Sequence, residues 1–66
     1  MLNSRMEVLA RIVEETIEAT PDGVPGGYIY AALMQYINLD QFYQVMELVM
    51  AGGNVKKVGE VYMPIE

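Results

Sequence analysis

A chain of 66 residues, 53% of them hydrophobic, has room for one domain. It holds neither cysteine nor histidine, which removes disulfides, zinc fingers, haem attachment and thiol redox motifs together. Nine acidic against four basic residues give a net charge of −5, a balance that repels polyanions and favours solubility.

The start, Met1-Leu2-Asn3-Ser4-Arg5, lacks the basic region and apolar core of a signal peptide. The longest apolar run, Tyr28 to Met34, falls far short of the ~20 residues that span a bilayer. A cytoplasmic protein is the expectation. A domain this small has little interior, so part of its apolar content belongs on the surface. Exposed apolar patches mark interfaces, which points to a homodimer or a protein partner.

In chain order, the first element is a helix over about 4–20. Ser4 and Glu7 fit a capping box at its start. Met6, Leu9, Val13, Thr16, Ile17 and Thr20 form the apolar or small stripe, widened by Ile12, while Glu7, Arg11, Glu14 and Glu18 lie opposite. Thr20 to Gly27 holds Pro21-Asp22-Gly23 and Pro25-Gly26-Gly27 and reads as a loop, with Val24 as its apolar anchor. Residues 28–36 predict a short apolar helix rich in helix formers. Asn38 then reads as an N-cap with Gln41 at N3, and Ile37 with Phe42 as a hydrophobic staple. The third helix follows over 39–51, with Leu39, Phe42, Met46 and Val49 on its core face, Val45 and Leu48 beside them, and Gly52-Gly53 as its C-cap. Two short β segments over about 55–65 flank Gly59-Glu60, a pair suited to a type II′ hairpin turn. Pro64 predicts that the second strand lies at an edge. The sequence leaves the hairpin register open by one residue. The fold class is therefore α+β: a three-helix bundle followed by a C-terminal β-hairpin.

Helix, loop, short helix, tight turn, helix and hairpin is the element order of winged helix-turn-helix domains. The stretch Ala51-Gly52-Gly53-Asn54-Val55-Lys56-Lys57-Val58-Gly59-Glu60-Val61-Tyr62 resembles the helix-to-wing passage of small bacterial regulators in that superfamily. The resemblance spans roughly Ser4 to Ile65. It implies that the third helix enters a DNA major groove and the wing touches backbone. Carried onto this chain, the reading face is Asp40, Gln41, Tyr43, Gln44 and Glu47, and the wing contacts are Lys56 and Lys57. The chain departs from that pattern in one respect: its third helix has no lysine or arginine. Gln41 and Gln44 suit adenine edges, but Asp40 and Glu47 would face phosphates, which basic side chains normally neutralise.

Other constellations have plainer readings. Glu14, Glu15 and Glu18 read as a solvated helix face rather than a cation site, because calcium sites draw more oxygen ligands from a flexible loop. Gly23 to Gly27 lacks the Lys-Ser/Thr ending of a phosphate loop. Tyr28, Tyr30, Tyr36 and Tyr43 would need a positive groove to stack bases, and none is implied. Met50 is the methionine best placed for an interface, and Lys56 and Lys57 suit an edge strand that resists aggregation. No catalytic residue, cofactor or metal site is expected. The leading expectation is a non-catalytic winged-helix-type module that binds a protein partner or itself through Tyr28, Tyr30, Tyr43, Glu47 and Met50. The alternatives are a DNA-binding regulator using Gln41, Gln44, Lys56 and Lys57, and an acidic mimic of DNA.

Overall fold

Apolar residues three and four apart make the first segment a helix with one face to bury. The computed structural model describes residues 4–65 and places α1 at Ser4–Glu18. The Ser4 side chain, and with it the expected capping box, lies outside what is described. Met6, Ala10, Val13 and Ile17 form the buried stripe, and Leu9 is half-buried beside it. Ile12, expected to widen the stripe inward, is instead 52% exposed, as is Val8 one turn before it. The helix stops two residues earlier than expected. The Thr20 amide bonds to the Ile17 carbonyl at 2.9 Å, a three-residue closure that tightens and ends the last turn.

The loop that follows contains a strand the sequence does not announce. Val24–Pro25 forms β1, pairing with β3 (Val61–Pro64) through Val24↔Tyr62 and Pro25↔Val61. Gly23 has φ of +91°, and a Cβ there would strike the Val61 side chain, so only glycine fits. Helix α2 runs Gly26–Leu33, starting two residues before the expected point and ending three residues sooner. Its first amide, Gly26 N–H, donates to the Glu60 carbonyl of the hairpin turn at 2.8 Å. That bond satisfies one of the orphan donors at a helix start that has no side-chain cap.

Helix α3, Leu39–Ala51, begins as the sequence predicts. Asn38 Oδ1 accepts from the Gln41 amide at 2.8 Å, and Gln41 Oε1 accepts from the Asn38 amide at 2.9 Å. Ile37 and Phe42, the staple pair, are both buried. The core face is Phe42, Val45, Met46 and Val49. Leu39 does not join it: at 46% exposed, it sits on the surface at the first helical position. Gly53, with φ of +78°, reverses the chain after the helix.

Strands β2 (Val55–Val58) and β3 form the hairpin around Gly59-Glu60, in the register Val58↔Val61, Lys57↔Tyr62, Lys56↔Met63 and Val55↔Pro64. Gly59 has φ of +62°, as its turn position requires. The sheet order is β1-β3-β2, so β3 is central and the edge position expected from Pro64 does not hold. The proline is nonetheless accommodated. The Ile65 amide bonds to the Asn54 carbonyl at 3.0 Å, and ladder bonds alternate along an antiparallel pair. Val55↔Pro64 is therefore a pair that needs no N–H from Pro64 on the β2 side. On the other side, β1 pairs no further along β3 than Tyr62. Val55 and Tyr62 point into the core, while Lys56 and Val58 are exposed.

The core joins all three helices to the hairpin, and Ile17, Val45, Val49 and Val55 have almost no solvent contact. Among the described residues no polar or charged side chain is buried. In urea unfolding, Ile17→Ala is expected to cost about 2–5 kcal/mol and Asn38→Ala about 1 kcal/mol. Leu39→Ala, at a half-exposed site, should cost under about 1 kcal/mol. A loss at Leu39 as large as that at Ile17 would return it to the core.

Candidate interaction cleft between the third helix and the hairpin

The outward face of α3 lies beside the inner face of the hairpin, and a shallow cleft of ≈550 Å³ opens between them. Its floor is Met46 and Tyr62, both nearly buried. Tyr43, Glu47, Met50 and Ala51 form the helix wall, and Lys57 forms the hairpin wall. Helical spacing of 43, 47 and 50 puts those three side chains along one ridge. The two-residue turn fixes the other wall, because it sets Lys57 directly across from Tyr62. The Lys57 ammonium stands 5.6 Å from the Tyr62 ring centroid, a cation–π contact that orients it along the cleft.

A second depression of ≈400 Å³ continues past Tyr43 and Lys57 towards Glu60, Gly26 and Tyr28. Tyr28 is 73% exposed and Tyr43 57% exposed. Of the five residues expected at a protein interface, Tyr43, Glu47 and Met50 share the first cleft and Tyr28 lines its extension. Tyr30 does not belong with them. It is half-buried against the core, edge-on to Phe42, with ring centroids 5.1 Å apart and planes at 69°. Its role is packing. Met46 and Tyr62 were not expected in the cleft. Met46 belongs to the core stripe of α3, and Tyr62 follows only from a register the sequence leaves open.

The residues of the DNA-reading alternative are also dispersed in role. Gln41 is half-buried and its carbonyl is occupied by the Asn38 amide, so it acts as a helix cap. Gln44 is exposed on α3. Lys56 and Lys57 project from opposite faces of the edge strand β2. Among the described residues, no group of three or more carboxylates converges as a metal site. Glu14, from the acidic face of α1, instead reaches the turn after α3, where Asn54 Nδ2 donates to its Oε2 at 3.4 Å. No helix among the described residues is long and apolar enough to cross a membrane.

Comparison with known proteins returns no match to a protein-family model, a curated protein or a solved structure.

The two tyrosines bracketing Phe42 should separate on substitution. Tyr30→Ala removes a half-buried ring and its edge-to-face contact, and is expected to cost about 2–4 kcal/mol in chemical unfolding. Tyr43→Ala should cost under about 1 kcal/mol. The reverse order would make Tyr43 the packing residue.

Proposed function

We propose that this protein is a non-catalytic interaction module of the winged-helix type that takes a segment of a partner polypeptide into the cleft between α3 and the hairpin. One observation carries the reading: the cleft has an apolar floor and walls of opposite charge, Glu47 on the helix and Lys57 on the hairpin. A peptide backbone presents both amide donors and carbonyl acceptors, so it suits a carboxylate on one side and an ammonium on the other. Met46, Met50 and Tyr62 suit an apolar side chain projecting from that backbone. A phosphodiester strand has only acceptors and negative charge, and Asp40 and Glu47 on α3 oppose it.

The second reading is a small DNA-binding regulator, favoured by the exposed Lys56 and Lys57 on the hairpin and by Gln44 on α3. Two cations against a net charge of −5 supply few phosphate contacts. A third, mimicry of DNA, draws on the same acidity. Against it, the carboxylates are spread over α1, α3, the loop at Asp22 and the hairpin turn at Glu60 rather than gathered on one element.

A photo-crosslinking amino acid placed at Tyr43 in the living source cell reports the class of partner directly. The expected adduct is protease-sensitive, resists nuclease, and is lost when Met50→Glu is introduced. In a parallel measurement, fluorescence anisotropy with mixed-sequence duplex DNA at ~50 mM salt should show no association at micromolar protein. Tight binding that weakens steeply with added salt and vanishes in Lys56→Ala/Lys57→Ala would establish the regulator reading instead.

A further inference from the structure

The depression that continues from the cleft is lined by four of the chain's six aromatic residues. Phe42 and Tyr62 are buried and form its floor, while Tyr28 from α2 and Tyr43 from α3 stand exposed at its margin. The Tyr28 and Tyr43 hydroxyls and the Lys57 ammonium give it hydrogen-bond donors, and among the described residues Glu60 alone brings a carboxylate to it. Gly27 is a second, independent feature. It lies in the first turn of α2 without a positive φ, and a Cβ there would meet nothing within 4 Å. The fold does not require glycine at that position, and a helix forfeits stability by carrying one. The missing side chain instead leaves the depression open beside Tyr28. Resting on the reading of a polypeptide partner, we propose that this depression seats a proline-rich segment of that partner in the polyproline II conformation, with an arginine beside the prolines meeting Glu60.

Three properties of such a segment match these residues. The first is hydrogen bonding. A polyproline II helix has no internal hydrogen bonds, so its carbonyls are left to accept from outside, and each proline removes an N–H. It is rich in acceptors and poor in donors, the complement of two phenols and an ammonium. A strand of ordinary residues presents as many N–H groups as carbonyls, and for those donors this lining offers little besides Glu60. The second is shape. Proline rings are apolar and rigid, and grooves lined by aromatic side chains are the usual seat of this conformation. The segment is extended before it binds, so a shallow site loses less entropy in holding it. The third is charge. Nucleobases also stack on exposed rings, but they bring phosphates, which a net charge of −5 repels. An arginine brings the opposite sign, and a carboxylate such as Glu60 pairs with its guanidinium through two parallel hydrogen bonds.

Fluorescence anisotropy of the full chain with a labelled decaproline peptide that ends in arginine tests this. The expected result is saturable binding with a Kd below about 1 mM. Replacing the prolines by alanine, or the arginine by glutamate, should weaken it by about tenfold or more. Tyr28→Ala and Gly27→Gln should each weaken it by about fivefold or more. Far-UV circular dichroism should stay unchanged in both, since Tyr28 is exposed and residue 27 has open space around it. Ile12→Ala, at an exposed site on α1 away from the depression, should leave binding intact. No saturable binding, equal binding of the alanine peptide, or indifference to either variant would overturn the inference. A protease-sensitive adduct from position 43 alongside such a result would leave the polypeptide-partner reading standing, whereas a nuclease-sensitive adduct would remove both.

Discussion

The fold depends on the meeting of α1 with α3 over the first residue of β2. Ile17, Val45, Val49 and Val55 lose almost all contact with water, and they come from three elements, of which α1 is distant in sequence from α3 and β2. Burial of this kind is favourable but non-directional. With no polar group buried among the described residues, direction has to come from the chain itself. It comes from the reciprocal hydrogen bonds of Asn38 and Gln41, which fix where α3 starts and so which side chains it turns inward. It also comes from the glycines that let the backbone reverse at Gly23, Gly53 and Gly59.

Because no charged side chain is buried among the described residues, the distribution of charge over the surface decides what that surface can touch. Acidic groups on α1 and α3 discourage polyanions. The α3–hairpin cleft combines a methionine and tyrosine floor with one charge of each sign.

Much of this architecture is legible in the sequence, and the exceptions share a cause. The start of α3 reads correctly because its signal, Asn38 with Gln41 and Ile37 with Phe42, is local. The hairpin turn reads correctly because Gly59 is a backbone requirement. The readings that fail depend on contacts far along the chain. Strand β1 has two residues, one of them proline, and exists only because β3 is there to pair with it. The same pairing makes β3 central, which a local rule about Pro64 cannot anticipate. Helix α2 opens on Gly26 because Glu60, thirty-four positions later, accepts from its amide. On α1, Ala10 is buried where the periodic reading named Ile12, since the groove facing α3 accommodates a small side chain on that side of the stripe. At the cleft, helical spacing was enough to group Tyr43, Glu47 and Met50. It could not remove Tyr30, whose place is set by its edge contact with Phe42.

The bond from Gly26 to Glu60, with the two-residue pairing of β1 to β3, has a mechanical result. A hairpin attached only at its base would swing as a flap. Here its tip is tied to the first turn of a helix, and that helix carries Tyr28 two residues further on. The hairpin end and the head of α2 are therefore joined at more than one point, so displacing Glu60 strains the backbone two residues before Tyr28 instead of being absorbed in a loose loop.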